Sequence, residues 1–104
     1  MQTMIKSNYI KYNQLYIAED ENQVILLGYK LELTKTEYQI IKILIKNGNS
    51  PVSAEQFSIE TGMDLSKENV AFHISSINRM AKFIGKRMLI KNITKIGYFL
   101  NDKM

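Results

Sequence analysis

Apolar side chains recur along this chain with two different periods, and the change between them divides it into three stretches. Through residues 9–12, 15–17, 24–27 and 29–33, aromatic, branched and leucine side chains form short runs, with the polar cluster at 19–22 and Gly28 as turn signals. In the last run Leu31 and Leu33 alternate with Lys30 and Glu32, which places both leucines on one face. The pattern predicts a small antiparallel sheet over 4–33 with one side laid on a core. From Thr34 the period lengthens to about 3.6 residues. Thr34 and Glu37 have capping-box spacing, Leu33 and Tyr38 the spacing of a hydrophobic staple, and Tyr38, Ile41, Leu44 and Ile45 follow at helical intervals up to the stop at Asn47-Gly48. Ser53 with Gln56 repeats the device, with Val52 and Phe57 as staple, ahead of a short helix over 54–61 that Gly62 ends. Ser66 caps a longer third helix, ended by Gly85, whose stripe Val70, Ile74, Ile77, Ala81 and Ile84 is the buried face. Glu68, Phe72, Ser75, Arg79 and Lys82 point the other way, Ser76 and Phe83 border that face, and His73 lies beside the stripe. Two strands, 88–93 and 96–100, around Thr94-Lys95 predict a closing hairpin over 88–101.

The chain is 104 residues long, enough for one domain, and its content of 45% hydrophobic and 23% charged residues is that of a globular protein. It has no cysteine and one histidine, which excludes disulfide scaffolds, thiolate metal sites and any two-imidazole site. No apolar run approaches the roughly 20 residues that cross a bilayer, and the N-terminus lacks the features of a secretory signal. A cytoplasmic protein with no membrane partner is expected. Charge is unevenly distributed. Residues 1–78 carry a net charge of −2, whereas residues 79–104 carry Arg79, Lys82, Lys86, Arg87, Lys91, Lys95 and Lys103 against Asp102 alone, a net of +6. Such a gradient suits a polyanion.

Two short helices, a tight loop, a longer helix and a two-stranded ribbon make an α+β winged helix-turn-helix, here led by an antiparallel sheet. A helix fits the major groove of a duplex, and a ribbon can reach the adjacent groove or the phosphates. Leu33-Thr34-x-x-Glu37, Val70-x-x-His73-Ile74-Ser75-x-Ile77 and Ile96-Gly97-Tyr98 stand in the order and spacing that resemble the effector domain of OmpR/PhoB-type response regulators. The resemblance covers nearly the whole chain. It implies a bacterial transcription factor whose third helix enters the major groove, whose wing touches the neighbouring minor groove, and which binds direct repeats as a head-to-tail pair. It also implies RNA polymerase as a partner through the loop between the second and third helices, here only 62–65. Most members carry a receiver domain, for which 104 residues leave no room, so a stand-alone or excised effector is expected. Three departures stand out. Ser75, Ser76 and Asn78 occupy positions where the family often has arginine or lysine, Glu68 lies near a usual arginine, and Lys95 replaces a usual glycine.

Arg79 is the first candidate for base contact, since a guanidinium can grip guanine O6 and N7 together. Ser75, Ser76 and Asn78 are its candidate companions in the groove. Lys82, Lys86, Arg87, Lys91, Thr94 and Lys95 are expected on phosphates, joined by Ser66 and Lys67 at the start of the third helix. Phe72 either meets a thymine methyl or packs beneath the hairpin, and packing is the expectation. His73 is read as satisfied inside the fold, Gly97 and Tyr98 as hairpin architecture, and Met63, Met80 and Met88 as core or rim. A competing function is a protein-interaction module with little DNA reading, suggested by Phe72, Phe83 and Met80. No nucleophile–base pair, metal set or phosphate-cradling glycine loop is present in the sequence, so neither catalysis nor a cofactor is expected.

Overall fold

The computed structural model describes residues 9–101, apart from the side chains of Tyr9 and Asp20. The part of the predicted sheet at 4–8, and the charged pair Asp102 and Lys103, lie outside the described residues. Four strands, β1 (Tyr9–Tyr12), β2 (Leu15–Ala18), β3 (Gln23–Leu26) and β4 (Tyr29–Lys30), form an antiparallel sheet in that order. β4 is shorter than the apolar run suggested. Leu27 belongs to the turn instead, with φ of 50° beside Gly28 at 85°, the pair of positive φ angles that a two-residue hairpin turn requires. Leu15, Ile17, Val24 and Leu26 point inward and are buried beside Leu31.

Three helices follow, α1 (Lys35–Asn47), α2 (Ala54–Thr61) and α3 (Lys67–Gly85), then the hairpin strands β5 (Ile90–Ile93) and β6 (Gly97–Leu100). Each helix begins at its predicted cap. Thr34 and Glu37 form the reciprocal box, and Ser66 forms a second one with Asn69. Ser53 accepts from the Gln56 amide, but the Gln56 side chain turns away to Glu60 at 2.6 Å. At the end of α3 the left-handed residue is Lys86, with φ of 65°, one position beyond the predicted stop at Gly85. Ile40, Ile41, Leu44, Phe57, Val70, Ile77, Ala81, Leu89, Ile90 and Leu100 complete the core. Complete burial of a side chain such as Phe57 contributes about 1.5–3 kcal/mol.

The hairpin is held along both of its outer edges. Asn101 N–H bonds to the Leu89 carbonyl at 2.8 Å, so by antiparallel alternation the polar groups of Ile90 and Tyr98 point away from the ladder. Tyr98 exchanges two backbone bonds with Val52, at 2.7 and 2.8 Å, immediately before the cap of α2. Ile90 exchanges two bonds with the side-chain amide of Asn78 in α3, at 2.9 and 2.8 Å. Gly97 is required at the first of these seams, because a Cβ there would lie 2.5 Å from the Val52 carbonyl oxygen.

Candidate nucleic-acid interface

The expected outward face of α3 is exposed at Glu68, Phe72, Ser75, Arg79 and Lys82, while Ser76 is half-buried. Ser75, Arg79 and Lys82 line one depression of about 410 Å³ together with Asn78 and Met88. A second depression of about 310 Å³ lies between the first turns of α2 and α3 and the wing, and it brings Lys67 and Lys95 together with Ser53, Asn92 and Tyr98. Lys86, Arg87, Lys91 and Thr94 are exposed but line neither depression. Ser66 is exposed with its hydroxyl committed to Asn69, accepting from the amide at 3.0 Å and donating to Oδ1 at 2.9 Å.

Two of the lysines elsewhere are paired with carboxylates. On α1, Lys42 is bonded to Glu19 at 3.1 Å and Lys46 to Glu60 at 3.5 Å. The Gln56 hydrogen bond, with Lys46 nearby, draws the Glu60 carboxyl below its ordinary range. By contrast, Lys67, Arg79, Lys82, Lys86, Arg87, Lys91 and Lys95 form no salt bridge with any described residue. Arg79 shares a further depression with Glu32 without pairing to it.

Two expectations are corrected. Asn78 is buried, and both ends of its amide are consumed by the Ile90 backbone, so it is unavailable to a base. Its polar side chain faces inward because the buried outer edge of β5, with no strand beside it, awaits it there. Phe72 does not pack beneath the hairpin. It is 67% exposed, and its aromatic neighbour is the His73 ring, in a T-shaped arrangement with centroids 5.7 Å apart. His73 itself is satisfied inside the fold as expected, through Nδ1 to Glu37 Oε2 at 2.8 Å. The same Glu37 closes the α1 cap with Oε1, at 3.1 Å from Thr34 N. Sequence reasoning missed Asn92 and Met88 as neighbours of the cations. Strand alternation, which puts Asn92 opposite Tyr98 on the wing, was the available signal for the first.

No protein-family model matches the chain. The response regulator ArlR of Staphylococcus saprophyticus is 30% identical over 100 residues, which make up 93% of this chain and 46% of that protein. The chain spans about half the length of the curated relatives it matches. Among solved structures, the DNA-binding domain of the response regulator AdeR, crystallised in complex with an intercistronic region, aligns with a TM-score of 0.80 at 23% identity, over 89% of this chain and 99% of that one. The DNA-binding domain of CpxR from E. coli aligns with a TM-score of 0.70 at 24% identity, over 90% and 96%. The fold is that of an OmpR/PhoB-type effector domain.

Within that effector-domain fold, the departure at Lys95 acquires a physical meaning. Its φ of 66° lies in the left-handed region that glycine fills without strain. This chain retains a cation at the wing turn at the expense of a backbone strain of about 1–2 kcal/mol. Among the described residues no helix is long and apolar enough to cross a membrane, and no group of three or more His, Cys, Asp or Glu could hold a metal ion.

Proposed function

We propose that the chain is a sequence-specific double-stranded DNA-binding regulator of transcription, with α3 in the major groove and the β5–β6 wing on the adjacent backbone and minor groove. The observation that carries this reading is the clustering on α3, the α3–β5 connection and the wing of seven cations that form no salt bridge with any described residue, whereas two of the three α1 lysines, Lys42 and Lys46, are matched by carboxylates. Arg79 reads a base edge, with Ser75 and Ser76 beside it. Lys67, Lys82, Lys86, Arg87, Lys91, Thr94 and Lys95 hold phosphates, and Ser66 offers its surroundings at the α3 N-terminus. The likeness to AdeR, whose DNA-binding domain was crystallised with DNA, supports the same reading. Head-to-tail pairing on direct repeats and a polymerase contact at 62–65 extend it, as does action in the cytoplasm.

Selection of duplexes from a random pool, followed by titration of the best one across a salt series, tests this. Lys95→Ala weakens every duplex alike and flattens the log–log salt slope by roughly 0.9. Arg79→Ala lowers discrimination between sites by about 1–3 kcal/mol. Absence of duplex binding at low salt overturns the reading. One observation favours a protein-interaction role instead. Phe83 is 86% exposed beside the largely apolar depression formed with Leu31, Met80 and Ile84. A chain that is monomeric alone and changes mass only with duplex rules that role out.

A further inference from the structure

A single exposed ring is common on a protein surface. The setting of Phe83, which is 86% exposed, is less common. It stands at the lip of a depression of about 380 Å³, between the last turns of α3 and the segment that leads from β4 to α1. Leu31, Met80 and Ile84 make the apolar floor, Leu31 being 3% exposed and the other two half-buried, and the hollow has room for a phenyl ring. Phe83 itself has no aromatic neighbour among the described residues, unlike Phe72 with His73. A projecting ring and a hollow suited to one thus lie side by side on one face.

Charge on this face is two-sided as well. Glu32 and Arg79 line the depression from opposite walls, Glu32 on the β4–α1 connection and Arg79 on α3. Both are exposed, and neither forms a salt bridge with any described residue. Lys30, two residues before Glu32, completes the lining. A two-fold axis exchanges such walls, because wherever one residue meets a second across it, the second meets the first on the other side. A face that carries a knob, its hollow, an acid and a base is therefore complementary to itself.

We infer that this face pairs with a second copy of the chain about a two-fold axis. Phe83 of each copy seats between Leu31, Met80 and Ile84 of the other, and Glu32 of each is set against Arg79 of the other. The pairing goes beyond the duplex reading and does not rest on it. A head-to-tail pair joins two different faces, whereas here both copies contribute the same one. Two rings and their rims cover less than the roughly 1,200 Å² of a standard interface, so the dimer is weak, with a dissociation constant on the order of 10–100 µM.

Sedimentation equilibrium of the whole chain without DNA, from about 1 µM to about 1 mM, spans that range. The wild-type chain and Phe72→Ala dimerise alike. Phe83→Ala removes two buried rings from each dimer and raises the dissociation constant at least about a hundredfold. Glu32→Arg and Arg79→Glu each set like charges against one another twice, and each variant alone is monomeric. Mixed in equal amounts, the two variants recover a dimer that contains one of each, since every rim contact again joins opposite charges. Native mass spectrometry identifies that species, because the two variants differ in mass. Glu32, Arg79 and Phe83 are exposed, so unchanged thermal midpoints verify that the variants are folded. A wild-type chain that is monomeric at about 1 mM, a dimer that Phe83→Ala leaves as strong, single charge variants that still dimerise, or a mixture that stays monomeric overturns the inference. Any of these leaves the face to a partner of another kind. No DNA is present in these measurements, so the duplex reading stands or falls apart from them.

Discussion

Replacing Asn78 with alanine separates two roles that one amide could have. In the fold it substitutes for a neighbouring strand, with Nδ2 donating to the Ile90 carbonyl at 2.9 Å and Oδ1 accepting from the Ile90 amide at 2.8 Å. Ile90 is 1% exposed, so both backbone groups lose their partners where water has little access. Each buried polar group left unsatisfied costs about 1–3 kcal/mol. Two such groups, with partial hydration at the edge of the hairpin, give a loss of about 2–4 kcal/mol. For a domain of this size each kcal/mol moves the thermal midpoint by about 4–8 °C, so a drop on the order of 10–30 °C is expected. Asn78→Asp loses nearly as much, because a carboxylate oxygen then faces the Ile90 carbonyl where an N–H had been. Thermal and urea unfolding followed by circular dichroism measure the change, and the ranking of selected duplexes is compared at a temperature where the variants remain folded. A loss below about 0.5 kcal/mol accompanied by an altered base preference would refute the structural role and restore Asn78 to the groove.

Gly97→Ala drives a Cβ to within 2.5 Å of the Val52 carbonyl oxygen and 2.7 Å of its carbon, both backbone atoms. The seam must open, with a loss of about 2–3 kcal/mol in urea titration and faster hydrogen exchange at the Tyr98 amide. Lys95→Gly acts in opposite directions on two observables. Relief of the left-handed strain raises stability by about 0.5–1 kcal/mol, while the salt slope of duplex binding falls by roughly 0.9. The Tyr38 hydroxyl is buried and has no hydrogen-bond partner among the described residues, so Tyr38→Phe leaves stability unchanged or raises it by about 1 kcal/mol. Burial pushes the Tyr38 phenol above its ordinary value of 10.0, against the opposing influence of Lys42. The unfolded chain therefore ionises first as pH rises past 10.0, and stability held below that value is lost through the raised native value. Urea titrations on either side of that point show this alkaline loss in the wild-type chain and not in Tyr38→Phe.

Local signals were legible and side-chain polarity was not a reliable guide to position. The caps at Thr34, Ser53 and Ser66 and the stop at Gly62 involve neighbours within a few residues, so spacing alone locates them. The winged architecture follows from their order, and the basic character of the final third could be counted directly. Asn78 and Phe72 were misplaced for one shared reason. Helical angle puts Asn78 against the stripe residues Ile74, Ile77 and Ala81, but an amide reads as solvent-facing unless a distant partner is known, and Ile90 lies in another element. Phe72 sits on the outward side by the same angle, yet a phenyl ring reads as something to be packed away. The Glu37–His73 contact was hidden similarly, because it links α1 to α3 across 36 positions. The left-handed conformations of Leu27 and Lys86 were unforeseen because neither residue type announces them.

A hairpin stitched at one border to α3 and at the other to the lead-in of α2 cannot swing to meet its ligand. The gap between the helix surface and the ribbon tip is therefore settled before any encounter, and the domain behaves as a calliper set to one opening. Little orientational freedom remains to be lost on contact. Under the function proposed above, B-form DNA fits such a gauge with its broad major and slim minor grooves, while the deep, narrow major groove of A-form RNA would refuse the helix. Helical form would then be screened by rigid span alone, ahead of any hydrogen bond to a nucleobase.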